Sequence, residues 1–230
     1  MAGELGRSLF IAGTDTGVGK TTVAVALCHL LREQGLSVGV FKPAETGCAD
    51  LNRPLDALAL AAAAQCDAPL DTICPYRFTE PLAPAIAAER AGTTIDLALL
   101  RARLAELERG HDRVVIEGAG GLLVPFAADL LTVDWIAELQ LPVLLVGRLG
   151  LGTLNHTLLS ARLLADRGVH LLATVLSATE QDDSVAARTN AAVLERFPEV
   201  RLAGVVAHGA TGRPGPLPRA LWARLGALVG

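Results

Sequence analysis

The run Gly13-Thr14-Asp15-Thr16-Gly17-Val18-Gly19-Lys20-Thr21 constrains this chain more than any other feature. Apolar Leu9-Phe10-Ile11-Ala12 ahead of it reads as a buried strand, and Thr21-Thr22-Val23-Ala24-Val25-Ala26-Leu27 behind it reads as an amphipathic helix. Strand, glycine loop, Gly-Lys-Thr and helix is an arrangement that cradles polyphosphates, because loop N–H groups and the positive end of a helix face the anion. Lys20 is placed to neutralise the outer phosphates, and the Thr21 hydroxyl to complete the shell of a phosphate-bound Mg²⁺. A strict G-x-x-x-x-G-K-[ST] pattern needs glycine at position 14; here Thr14 stands there and the glycine is one residue earlier, at Gly13. The bland alternative is a glycine-rich turn with a surface lysine, and the flanking strand and helix argue against it.

Strand-like and helix-like runs alternate through the rest of the chain. Candidate strands are 8–12, 37–42, 113–117, 143–146, 171–176 and 202–206, each nearly continuously apolar, as strands buried on both faces are. Candidate helices are 21–34, 56–65, 96–109, 134–139, 153–166, 183–197 and 218–228. Gly35, Gly110 and Gly168 follow three of them and suit a left-handed helix end. The stretch 209–218, rich in Gly and Pro, reads as a loop. The pattern predicts an α/β fold, a P-loop NTPase-like three-layer sandwich with a mostly parallel sheet and helices on both faces. At 230 residues it is expected to be one domain, 1–230.

Composition narrows the partners. Hydrophobic residues make up 51% but aromatics only 3%, so Ala, Leu and Val must fill the interior. No run is long enough to span a membrane, and the N-terminus has no cationic segment followed by an apolar one, so neither membrane nor secretion is expected. The formal charge of −4, without a basic block, argues against nucleic acid. Cys28, Cys48, Cys66 and Cys74 form no C-x-x-C pair and have no histidine at zinc-finger spacing; free thiols in a cytoplasmic protein are the reading.

In parallel sheets, ligands lie beyond the carboxyl ends of the strands, and polar clusters fall there. Lys42-Pro43-Ala44-Glu45-Thr46-Gly47 follows the second strand, Glu117-Gly118-Ala119-Gly120-Gly121 the third, and Arg148-Leu149-Gly150-Leu151-Gly152-Thr153 the fourth. Lys42 is either a solvated strand-end lysine or a cation that shares anions with Lys20. Glu117 closes an apolar strand where an acidic residue reaches the Mg²⁺ of phosphate-loop enzymes. Asp56 opens a helix, and capping that helix is as good a reading as a functional one. His29, mid-helix, reads as structural.

Together these residues resemble the dethiobiotin synthetase family over most of the chain. The resemblance is carried by the Thr-Asp-Thr-x-Val-Gly-Lys-Thr form of the loop, Lys42-Pro43 with Thr46-Gly47, Asp56-Ala57-Leu58, Glu80-Pro81, Glu117-Gly118-Ala119-Gly120-Gly121 and Gly150-Leu151-Gly152-Thr153-Leu154-Asn155-His156-Thr157. It implies an ATP- and Mg²⁺-dependent ligase that makes dethiobiotin from 7,8-diaminopelargonate and CO₂ in biotin biosynthesis, through a carbamate and a carbamic-phosphoric anhydride. It further implies catalytic roles for Lys42, Lys20 and Thr16, and nucleotide contacts from Gly17, Val18, Gly19, Lys20, Thr21 and Thr22. Thr21, Asp56 and Glu117 would hold Mg²⁺, with Gly118, Ala119 and Gly120 lining the nucleotide. Thr46, Gly120, Thr153 and Asn155 would contact substrate, whose carboxylate the family receives across the interface of a homodimer. His156 reads as packing or surface.

Two departures concern the base. The family's Asn-Asp after the fifth strand appears as Ala178-Thr179, and its Gly-x-[Ile/Val]-Pro turn appears as Gly204-Val205-Val206-Ala207. Backbone at Val205, Val206 and Ala207 is then left to meet the adenine, and nucleotide preference becomes an open variable. One alternative is a partitioning-type switch ATPase, but such proteins carry a lysine early in the loop where Asp15 stands, and residues 217–230 are short and weakly basic. Another is an ATP-dependent amidation enzyme, which would usually need an added glutaminase domain. A paralogue of the synthetase with altered nucleotide preference is the third.

Overall fold

In the computed structural model, which describes residues 8–179, 181–207 and 216–229, the first element is β1 (Ser8–Gly13), buried at every position. Successive strand residues point to opposite faces, so a strand buried throughout is covered on both sides. After it come α1 (Lys20–Glu33), β2 (Val38–Phe41), β3 (Ala44–Thr46), α2 (Leu55–Ala64), α3 (Leu70–Ile73), β4 (Tyr76–Phe78), α4 (Pro84–Arg90) and α5 (Leu97–Gly110). Then follow β5 (Arg113–Gly121), β6 (Pro125–Ala127), β7 (Leu130–Leu131), α6 (Thr132–Leu139), β8 (Val143–Arg148) and α7 (Thr153–Asp166). The described chain closes with β9 (Leu171–Ser177), α8 (Val185–Leu194), β10 (Leu202–Val206) and α9 (Arg219–Val229).

Six strands make one sheet in the order β10-β9-β8-β1-β5-β2, and every neighbouring pair is parallel. Parallel neighbours need crossovers, which the helices around the sheet supply. This is the α/β sandwich the alternating pattern predicts. The chain leaves β1 for the edge strand β2 and later returns to β8 on the other side, so strand order reverses at β1. A crevice opens at such a reversal. Gly13 pairs with Gly121 on one side and Val146 on the other, which puts the glycine loop between the ends of β5 and β8.

The core is aliphatic around one aromatic group. Trp135 is fully buried, stacked on Phe126 at 4.6 Å and meeting the edge of Phe10 at 5.9 Å. Aromatic pairs in these geometries add to what their burial contributes.

Boundaries differ from the sequence reading at several places. The short β3, β4, β6, β7, α3 and α4 show too few residues for a period to emerge. The α6 helix begins at Thr132, not at 134, because the Asp134 carboxylate accepts the Leu131 N–H at 3.2 Å and closes the first turn. Ser184 caps α8 by accepting from Ala187 at 3.1 Å, and a 3₁₀ turn at Pro198–Val200 follows it. Gly35 and Gly168 take positive φ (80° and 66°) as helix ends, but Gly110 does not: it stays in α5, and the chain exits through extended His111. Most of the loop expected at 209–218 lies outside the described residues.

Candidate active site

The glycine loop needs glycine for two reasons: positive φ at Gly17 and Gly19, and crowding at Gly13 and Gly19. Gly17 and Gly19 adopt φ of 71° and 91°, and a Cβ on Gly19 would meet Ser177 Oγ at 2.4 Å. Gly19 caps α1 without any side-chain bond, leaving the helix N–H groups for an anion. Lys20 is only 7% exposed, and its ammonium donates to the carbonyls of Asp15 (3.1 Å) and Gly120 (2.9 Å). Burial, and then the nearby Lys42 charge, push it down to about 8.

Lys42, 3% exposed, is not a solvated lysine. Its Nζ donates to Glu117 Oε1 at 2.5 Å and to Asp56 Oδ2 at 3.2 Å, while Thr21 Oγ1 donates to the same Glu117 oxygen at 2.9 Å. Burial pulls the Lys42 ammonium down, but the charge of Glu117, then that of Asp56, outweighs it and holds the group above the ordinary lysine value. Asp56 is the second residue of α2, and its side chain caps nothing; the carboxylate turns to Lys42. The bland readings of both residues fall away.

The fully buried Glu117 has one oxygen, Oε2, with no hydrogen-bond partner among the described residues. An unmet buried carboxylate oxygen is costly, and a hard cation is the group that would satisfy it. Among the described residues no three His, Cys, Asp or Glu side chains cluster as a metal cage. Thr21, Asp56 and Glu117 suit an ion such as Mg²⁺, which takes one or two carboxylates and completes its shell from phosphate and water.

Thr16, Gly17, Gly19 and Thr22 line the same cleft of about 340 Å³, with Thr46, Ala119, Gly120 and Thr179 on its other walls. Other expected site residues lie apart from it. Val18 buries its side chain in the core and offers only backbone. Gly118 is a glycine because a Cβ would strike the Phe10 ring at 2.8 Å, so packing and not close approach to a ligand requires it. Thr153 is buried with its hydroxyl 3.3 Å from that of Thr157, so its side chain does not reach the cleft; Asn155 is exposed on α7 away from it. Val205, Val206 and Ala207 are outside the cleft lining, although the Val206 carbonyl accepts the Ala178 N–H at 3.0 Å.

Two side chains escaped the sequence reading. Glu45 is a buried carboxylate on the cleft wall, and Ser177 Oγ is a buried hydroxyl against the glycine loop with no hydrogen-bond partner among the described residues. In the sequence Glu45 is an acid three residues past the candidate strand 37–42, with no periodicity to say that it turns inward from β3.

A family model described as an AAA domain matches residues 7–210. The ATP-dependent dethiobiotin synthetase of Anaeromyxobacter sp. (strain K) is 45% identical over 191 residues, 83% of this chain and 85% of that protein. The chain belongs to the dethiobiotin synthetase family. The synthetase of Bacillus thuringiensis (strain Al Hakam) is 37% identical over 197 residues, 86% of this chain and 81% of that one. Among solved structures, chloroplast FtsY from Physcomitrella patens superposes with a TM-score of 0.52 at 18% identity, covering 96% of this chain and 65% of FtsY, a likeness of fold alone.

Beside the cleft, this synthetase-family chain has a second groove of about 690 Å³. It runs from Thr14 and Asp15 of the loop between Leu122–Val124 and the α7 residues His156, Leu159 and Leu163. His156 is thus a surface residue that lines a groove.

Proposed function

We propose that this chain is a dethiobiotin synthetase that closes the ureido ring of dethiobiotin from 7,8-diaminopelargonate, CO₂ and ATP. The observation that carries the reading is one cleft in which two buried lysines, Lys20 and Lys42, face the buried Glu117 and the partly exposed Asp56. One amine of the substrate takes up CO₂ as a carbamate. A carbamate oxygen then attacks the γ-phosphorus and ADP leaves; the second amine attacks the carbamoyl carbon, the ring closes, and phosphate and protons are released.

The first transfer brings two anions together, so charge and position matter more than any covalent group from the protein. Lys20 meets the nucleotide phosphates. Lys42 spends two N–H bonds on Asp56 and Glu117, and its third reaches only the Gly118 carbonyl at 3.5 Å, leaving it to meet the carbamate and the moving phosphoryl group. Thr16 and Thr46, which both line the cleft, donate hydroxyls to the phosphate and carbamate oxygens. Mg²⁺, held by Thr21, Asp56 and Glu117, supplies charge neutralisation to the phosphates when bound. No thiol is needed, and all four cysteines are free and buried.

The same reading makes the molecule a cytoplasmic homodimer. Leu123 and Leu159 on the second groove are 59% and 60% exposed, and Leu151 beside the α7 N-terminus is 90% exposed, an apolar surface suited to a second copy. Asn155, remote from its own cleft, then serves the substrate carboxylate of the partner. No helix among the described residues is long and apolar enough to cross a membrane.

The deciding assay is phosphate release that requires both diaminopelargonate and bicarbonate. Hydrolysis that ignores the diamine and responds to DNA or lipid vesicles would favour a switch ATPase instead.

A further inference from the structure

Glu45 takes part in none of these steps, yet it is a carboxylate only 7% exposed on the wall of the same cleft. A buried charge is costly unless hydrogen bonds meet it. Here Oε1 accepts the N–H of Asp56 at 3.1 Å and Oε2 that of Ala57 at 2.9 Å. Both N–H groups belong to the first turn of α2, where a helix has no partners of its own to offer. The residue at the helix cap, Pro54, has no side-chain acceptor and makes no cap bond. Glu45 therefore caps α2 from β3, with an anion at the positive end of the helix.

The consequence falls on Asp56. Its side chain is 44% exposed and is tied at Lys42. Its backbone is tied at Glu45. One short stretch, 42–45, thus grips both ends of the residue, the carboxylate through Lys42 and the N–H through Glu45.

We infer that Glu45 is a positioning residue for the cation side of the site: by clamping the first turn of α2 it holds the Asp56 carboxylate where a divalent ion would meet it. Both Glu45 oxygens are engaged by N–H groups, so it acts through Asp56 and not as a ligand. The inference rests on the reading of Asp56 as a Mg²⁺ residue.

The test is an electron paramagnetic resonance titration of the full chain with Mn²⁺ in the presence of ADP, on wild type, Glu45→Gln and Asp56→Asn. Glutamine keeps the size of Glu45 but turns an NH₂ group toward an N–H. Partners that orient a metal ligand typically change affinity by 10–100-fold, so Glu45→Gln should weaken Mn²⁺ by roughly tenfold. The Mg²⁺ concentration for half-maximal turnover should rise by a similar factor, with kcat at saturating Mg²⁺ little changed. A cap that served stability alone would lower Tm and leave the Mn²⁺ curve in place. If Asp56→Asn weakens Mn²⁺ and Glu45→Gln does not, the inference is overturned while the reading of the site stands. If neither does, both fall together. Should Glu45→Gln not fold, Glu45→Asp, which keeps the charge one methylene short, is measured in its place: a weaker Mn²⁺ curve supports the clamp, and an unmoved one removes it.

Discussion

Lys42 Nζ and Glu117 Oε1 lie 2.5 Å apart with neither side chain more than 4% exposed. Taking two charges out of water is offset only when geometry and further hydrogen bonds are good, and the second Glu117 oxygen has no partner among the described residues. A pair built for stability would not leave that oxygen bare. The arrangement makes sense when the carboxylate has a second, cationic partner in the working enzyme.

Replacing Lys42 by alanine should leave ADP binding within a few-fold, because Lys20 and the loop amides hold the ground-state phosphates. Turnover should fall by ~10²–10³, as when one preorganised contact to developing charge is removed. Stability should fall as well, since breaking a buried pair strands the other charge at a cost of about 3–5 kcal/mol. Thermal melts with and without Mg²⁺ and ADP check this: the variant should recover more Tm from the divalent ion than wild type does. Turnover close to wild type would take Lys42 out of the mechanism.

Glu117→Gln should raise the Mg²⁺ requirement more than it raises KM for the diamine. The amide is a weaker ligand for a hard cation at nearly the same size. Mg²⁺ titrations of turnover for the two proteins provide the comparison, and coincident curves would mean that Glu117 neither binds nor orients the ion.

Lys20 should set a pH limit on nucleotide binding. Its ammonium is pushed down to about 8 by burial and then by the Lys42 charge, so in the nucleotide-free protein it loses its proton above that pH. Binding phosphate requires the proton back; affinity for ADP should be flat below about pH 8 and then fall, approaching tenfold per unit. Stability without nucleotide runs the opposite way. The folded pKa lies below the unfolded value of about 10.4, so the unfolded chain binds more protons across that window and stability rises with pH there. Calorimetric titration with ADP across the window, on wild type and Lys20→Met, checks the first statement; a variant with the same pH slope would contradict it.

Base selectivity should be weak. Alanine at position 178 offers no side-chain hydrogen bond, and its N–H is already given to Val206. Among the described residues, the side chains beside Gly19 are Ser177, through Oγ, and Thr179, through its methyl; their hydroxyls can donate or accept and so are poor at telling adenine from other bases. GTP and CTP should be used with kcat/KM closer to that of ATP than in a family member that keeps the asparagine. Parallel kcat/KM measurements at fixed Mg²⁺ and bicarbonate decide it, and a hundredfold or greater preference for ATP would show a base contact beyond these hydroxyls.

The order of the sheet strands and of the longer helices, and the phosphate cleft, are legible in the residues because they are local. Leu9–Ala12, the glycine spacing and Gly19-Lys20-Thr21 dictate strand, loop and helix within one stretch of chain, and apolar runs as continuous as Val143–Val146 declare strands covered on both faces. What sequence alone could not decide was where side chains from separate strands point. Asp56 reads equally well as a helix cap until Lys42 is seen beside it and Glu45 is seen doing the capping. Gly118 reads as room for a ligand until the ring of Phe10 fills that space. Thr153 sits in a motif that resembles a substrate element, yet its hydroxyl turns to Thr157 in the interior. The Thr153 bond lies within one helix, but the decisive pair joins residues far apart in the chain, Lys42 just past β2 to Glu117 within the neighbouring β5. The register of the sheet sets the Lys42–Glu117 pair and the packing of α2 sets those of Asp56, because a side chain's partner is chosen by the element that lies next to it and not by its own spacing.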